Sequence, residues 1–276
     1  MLPWFRFPAT AADSAKEAGR CPTIRSSLFL EKTIMENQTI AAYNLLERVA
    51  RYDNDMNWMH PNRSKMVEVA LEVLSLPLDS PVVALDLGTG TGWFAHAFLS
   101  RYPSSRVIAV DGARAMIELA RARLKDFEGR VDFVLGDFRD LGHLLGPRQG
   151  QLVFSSYALH HLTRQEKLEV IQQALAFLEP GGWFLNADLV VSASPRIETR
   201  IQEIRINGIV ERVAGQDSRF ATAADTRKFL DELELKDQDK PLTLTEDLKI
   251  LAQSGLTDAS VFWLEYREAV IGGVKG

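Results

Sequence analysis

The stretch VVALDLGTGTGWFAHAF (82–98) is a β-rich apolar run holding an acid, Asp86, then Gly88, Gly90 and Gly92 at GxGxG spacing, then the start of a helix. Glycines between a strand and a helix tolerate positive φ and put no Cβ in the way, so the backbone can approach a ligand at the helix N-terminus. The spacing narrows the ligand. A dinucleotide fingerprint, GxGxxG, would place Trp93 in its third glycine slot, where the indole obstructs tight packing of helix on strand. A phosphate loop needs GKS or GKT after its glycines, and neither is present here.

Outward from this turn, short β-rich runs at 82–87, 106–111, 131–137, 152–157 and 182–189 alternate with helical runs near 92–101, 114–125, 139–145 and 164–178. The last helix ends at Pro180 and Gly181. Such alternation predicts a parallel sheet covered by helices on both faces. Ligands of these sheets sit beyond the strands' carboxyl ends, which puts Gly88 to Gly92, Asp111, Asp137 and the residues after Tyr157 on one rim. Upstream, apolar spacing predicts amphipathic helices from Ile40 to Val49 and from Met66 to Leu74. Downstream, Ile197, Ile201, Ile204, Val210 and Val213 form a stripe on a helix that stops at Gly215. Helices over 222–235 and 245–255 follow, the latter with Thr245 as N-cap and Gly255 just past its end. Two β-like runs, DASVFWLEY and REAVIGGVK, add antiparallel strands.

The bulk numbers bound the function. A chain of 276 residues, 46% hydrophobic and 25% charged, can bury a full core. No apolar run approaches a membrane span and no secretory signal opens the chain, so the expected location is the cytoplasm, without membrane contact. Cys21 is the single cysteine, which rules out an internal disulfide and a cysteine-based zinc cage, and no other metal set is read. A net charge of −5 does not favour a nucleic-acid partner; a small molecule is expected. Residues 1–34, without sustained periodicity, read as a loose tail, and 35–276 as the domain, with a helical cap over 35–80 and a helical lid inserted at 195–240. The apolar face of the insertion alternatively offers a homodimer seam.

VVALDLGTGTGWFA resembles motif I of the class I S-adenosylmethionine-dependent methyltransferases, and VIAVDGARAMIELARARL resembles their second motif. VDFVLGDFRDL, LVFSSYALHHL and LEPGGWFLNADL are similar to the third, fourth and later blocks, in the family's order, so the likeness covers roughly 82–190. It implies a Rossmann-like α/β fold, seven strands mostly parallel with an antiparallel last strand, and in-line transfer of a methyl group to a small-molecule acceptor. Carried over residue by residue, Asp111 would accept the ribose hydroxyls of S-adenosyl-L-methionine, and Asp137 the adenine amino group. Met116 and Phe138 would flank the purine; Asp86, Gly88, Thr89 and Gly90 would hold the methionine portion, with Gly92, Gly112 and Ser155 completing the set. Arg63 would clamp the carboxylate. His160 is the candidate base or pocket-lining donor, Tyr157 the second candidate, and Asp188 either faces the substrate or caps a loop. Oxygen, nitrogen, sulfur and carbon acceptors stay open. So do a non-catalytic cofactor-binding module and the carboxy-S-adenosylmethionine synthase branch, to which the insertion and the chain's ending bear a loose likeness. Trp93 argues against a nicotinamide oxidoreductase.

Overall fold

The computed structural model describes residues 38–276, so the tail read at 1–34 lies outside the described residues. Three helices come first: α1 (Gln38–Ala42), α2 (Leu46–Met59) and α3 (Arg63–Val73). The alternating region follows as β1 (Val83–Leu87), α4 (Trp93–Arg101), β2 (Arg106–Asp111), α5 (Arg114–Arg123), β3 (Val131–Leu135), α6 (Leu141–Leu145), β4 (Gly150–Ser156), α7 (Arg164–Phe177) and β5 (Leu178–Leu189). Beyond it lie α8 (Pro195–Val213), α9 (Ala223–Asp237), α10 (Leu244–Ser254), β6 (Leu256–Glu265) and β7 (Glu268–Lys275).

The seven strands form one sheet in the order β3-β2-β1-β4-β5-β7-β6. Neighbours from β3 to β5 pair parallel, while β7 is antiparallel to both β5 and β6 and so runs against the other six. The chain direction across the sheet reverses between β1 and β4, and there the first glycine loop emerges. Strand alternation splits the core in two. Ala84, Phe94, Phe98, Tyr102, Phe154 and Met66 pack on one face, with the Phe94 and Phe154 rings stacked at 4.2 Å. Leu85, Leu87, Val153, Ile171, Phe184 and Ile250 pack on the other. On that second side Lys167 and Asp247, both fully buried, pair at 2.8 Å and tie α7 to α10. Among the described residues no helix is long and apolar enough to cross a membrane.

Three local readings change. The helix expected from Ile40 to Val49 is broken at 43–45 into α1 and α2. Thr243, not Thr245, caps α10, because Thr243 and Glu246 satisfy each other's backbone N–H groups in a capping box. On α8 the buried face is Ile206, Ile209 and Val213, while Ile197 of the expected stripe is half exposed. The reason is its neighbour: this face meets Met59 and Phe220 in a third, smaller cluster that joins the helices before the sheet to those inserted after β5.

Candidate active site

A cleft opens at the carboxyl ends of β1, β2 and β4, where the topology switches. Gly88 stands there at φ +68°, and a Cβ built on it would lie 2.5 Å from the Cβ of Ala158, so the loops after β1 and β4 meet as closely as backbone allows. In the next loop, a Cβ on Gly112 would lie 2.5 Å from Ile40 Cδ1; α1 is seated directly on that loop.

Two carboxylates face this cleft, Asp86 buried and Asp111 partly buried. Asp86 accepts from Thr89 Oγ1 at 2.6 Å, and burial, with Asp111 adding repulsion, pushes its pKa up to about 7. Asp111 accepts from the backbone N–H groups of Gly90 and Ala113, each at 2.8 Å, yet burial still pushes it up to about 6. No ion pair reaches either acid among the described residues. Aromatic and thioether faces line the remaining wall: Tyr43, Tyr52, Trp93, Phe138 and Met116.

The other sequence candidates sort by position. Arg63, buried, lines the cleft with its guanidinium 4.5 Å above the Trp93 ring and 3.0 Å from Asp53 Oδ1. Arg123 also binds Asp53, so Trp93 and one carboxylate gather both arginines at the mouth. Asp137 lines the cleft and accepts from Arg139. Thr89, Gly90, Met116, Phe138 and Tyr157 line it as well. Gly92, Ser155 and His160 do not. Gly92 begins α4 against Ala120, and Ser155 turns its hydroxyl 2.9 Å from the Leu87 carbonyl, leaving the next residue, Ser156, at the rim. Motif reading passed over Tyr43, Tyr52 and Ser156, which line the cleft, and of the adjacent histidines chose His160 where His161 is the one that lines it.

His160 belongs to a second cavity of about 620 Å³ bounded by α2 and by the inserted helices. Tyr43, Tyr52, Met56 and Tyr157 border both cavities, so the two adjoin. The chamber's apolar lining includes Met59, Leu189, Phe229 and Leu233, and its cations are mostly neutralised in place: Arg48 by Asp237, Arg205 by Glu234, Arg219 by Asp55. The Arg48–Asp237 pair joins α2 to the end of α9.

Four groups at this junction are tied to carboxylates. His160 Nδ1 lies 2.6 Å from Asp188 Oδ1; burial disfavours the imidazolium, but the Asp188 charge outweighs it and raises the histidine pKa. His161 Nδ1 lies 2.9 Å from Asp239 and its Nε2 3.2 Å from the Tyr43 hydroxyl; burial and the neighbouring His160 lower its pKa. His60 Nδ1 lies 3.1 Å from Glu268 Oε1, and burial lowers its pKa despite that partner. Tyr157, in the left-handed region at φ 50°, donates to the same Glu268 oxygen at 2.7 Å. Burial and the Glu268 charge hold its phenol protonated far above the usual range, so Tyr157 is a neutral donor rather than a base.

Residues 84–182 match the family described as "Methyltransferase domain". A demethylmenaquinone methyltransferase of Thermotoga maritima is 35% identical over 99 residues, which cover 36% of this chain and 37% of that protein. The chain thus spans little more than a third of that relative's length. Among solved structures, an O-methyltransferase family protein from Burkholderia thailandensis superposes with a TM-score of 0.61 at 16% identity, over 91% of this chain and 69% of that one. The DhpI–SAH complex superposes with a TM-score of 0.57 at 17% identity, over 90% and 97%. At those identities the likeness is one of fold.

Proposed function

We propose, from the match of residues 84–182 to the methyltransferase domain, that this chain belongs to the class I S-adenosylmethionine-dependent superfamily and transfers the cofactor's methyl group to a small molecule held in the adjoining chamber. The observation that carries the reading is a pair of carboxylates lining the cleft, Asp86 and Asp111, raised to about 7 and about 6 with no ion-pair partner among the described residues. Neither acid has a cationic partner there, since Arg63 and Arg139 of the lining pair with Asp53 and Asp137. A ligand that brings an ammonium and a sulfonium, together with ribose hydroxyls to donate, supplies what the two acids are missing.

The residues fit that ligand. Asp111 would accept ribose hydroxyls, Asp137 the adenine amino group, and Met116 and Phe138 would cover the purine. Asp86, Thr89 and the Gly88–Gly90 backbone would take the amino-acid end, with Arg63 near its carboxylate. When bound, the cofactor supplies a methyl group on a sulfonium, whose departure as a neutral thioether needs no acid. The protein's own task is to hold the acceptor in line at the border of the two cavities and to keep water out, for which Tyr43, Tyr52, Met56 and Tyr157 are placed. His160, held by Asp188, lines the chamber as a hydrogen-bond donor to the acceptor.

Calorimetry tests the reading. Adenosylhomocysteine should saturate one site with measurable heat while a nicotinamide dinucleotide does not, and radiolabelled S-adenosylmethionine should pass its methyl group to some member of a small-molecule panel. Heat from the dinucleotide alone would overturn it. Binding without turnover on any acceptor would reduce the protein to a cofactor-binding module.

A further inference from the structure

The chamber holds two histidine–carboxylate pairs rather than one. His60, paired with Glu268, and His160, paired with Asp188, each line it, and in each pair Nδ1 faces the carboxylate, at 3.1 and 2.6 Å. Both carboxylates are held below the ordinary range: although burial opposes it, His60, Tyr157 and Asn62 lower Glu268, and His160 and Lys167 lower Asp188. They are therefore ionised, and each accepts a hydrogen bond from an Nδ1–H group. That leaves Nε2 as the available atom of each ring. Nε2 of His60 has no hydrogen-bond partner among the described residues, whereas Nε2 of His160 faces Asp239 at 3.6 Å.

We propose that His60 is the general base of this site and His160 its fixed cationic donor, so that the acceptor is a phenol or enol carrying a second oxygen, one oxygen for each ring. The proposal rests on the methyltransferase reading above and names its acceptor class. In the step, the hydroxyl proton moves to His60 Nε2 and the oxygen's electron pair forms the new bond to the methyl carbon. The bond between that carbon and sulfur breaks, its electron pair staying on sulfur. Afterwards His60 returns its proton to water. His160, meanwhile, donates to the second oxygen and fixes the ring's orientation.

The opposite environments of the two rings agree with these roles. Burial lowers the His60 pKa and favours its neutral, accepting form, while at His160 burial and Lys167 are outweighed by the Asp188 and Asp239 charges, which favour its protonated form. The ionisable groups that face His60 are Glu268 of β7, Tyr157 beyond β4, Arg205 of α8 and His160 itself; Asn62, before α3, shares Glu268. Glu268 also accepts from Tyr157, which borders the cofactor cleft, so this base is anchored to the wall between the two cavities.

Two measurements test the proposal on the full chain, the first with adenosylhomocysteine bound and the second with S-adenosylmethionine as donor. NMR titration of the histidine rings, assigned with H60Q and H160Q, should show His60 neutral with its proton on Nδ1 at pH 7, and His160 charged. In parallel, methyl transfer from S-adenosylmethionine to simple phenols, catechols, benzoic acids and benzylamines should favour the catechols. H60Q should lower kcat by at least a hundredfold, with KM and adenosylhomocysteine affinity unchanged. The acid limb of the wild-type rate profile should lie below the free imidazole value. A charged His60 at pH 7, a proton on its Nε2, transfer to amines alone, or an H60Q variant with wild-type turnover would each overturn the assignment. The NMR result decides even if no panel member is methylated. Loss of adenosylhomocysteine binding in the wild type would instead overturn the cofactor reading itself.

Discussion

The two adjoining cavities are built on different principles. The cofactor cleft takes most of its polar groups from consecutive strand-to-helix loops, so its acids and glycines lie within the stretch from Asp86 to Asp137. The chamber beside it draws on Tyr43, His60, His160, Arg205, Glu234 and Asp239, and its second histidine pair is completed by Glu268 near the chain's end. One is a local product of the sheet; the other exists only once the helices before the sheet have met those inserted after β5. The difference predicts that the two can be damaged separately.

The largest effect is expected from Arg48→Ala, which strands the buried Asp237 carboxylate at the junction of α2 and α9. Because Arg48 retains some solvent contact, the cost should be about 2–3 kcal/mol, below that of breaking a fully buried pair. Thermal unfolding should register it, and hydrogen exchange should quicken in α9 more than in the sheet. If exchange rises equally in both, the two regions form one cooperative unit and the comparison fails. Next comes Asp111→Ala, which should weaken adenosylhomocysteine binding by about 1–3 kcal/mol through unpaired ribose hydroxyls. Calorimetry reads that loss, and the chamber's histidine resonances should not move.

A third test uses protons. In the free protein Asp86 and Asp111 have pKa values raised to about 7 and about 6, so they are largely neutral at pH 5 and ionised at pH 8. A cationic cofactor favours the ionised forms; its affinity should therefore fall, by roughly tenfold or more, as pH drops from 8 to 5.5, and binding near pH 6.5 should release protons. Equal affinity at both values would remove the argument from missing positive charge. The smallest effect is a control: Thr243→Ala deletes the N-cap of α10, a residue that lines neither cavity, and should cost about 1 kcal/mol of stability while leaving ligand affinity alone.

How far each region could be read from sequence follows from the same contrast. Short β-rich apolar runs and the GxGxG turn located β1 to β5 and the rim because strand, loop and helix are adjacent in the chain. Errors inside this region were of one residue's phase: Ser155 and Ser156 alternate, and the first turns to the Leu87 carbonyl while the second lines the cleft. The cap of α10 was legible, since Thr243 and Glu246 stand at capping-box spacing, but the neighbouring Thr245 matched a simpler pattern. In the chamber, α8 offers apolar residues on more than one face, and only the position of Met59 and Phe220 decides that Ile206 and Ile209 are buried. His60 sits three residues before Arg63 in a stretch read for its arginine alone, and nothing near it in sequence announces Glu268 as its partner.

Ile40, resting where any side chain on Gly112 would have to go, has a kinetic consequence. Helix α1 roofs the second loop of the cleft, and from it the chain runs through Tyr43 into α2, the wall of the chamber. A nucleoside bound in the cleft and exchanging on that side would have to lift the roof and disturb the neighbouring wall. Substrates should accordingly enter in a fixed order, nucleoside before acceptor, with the spent nucleoside departing last.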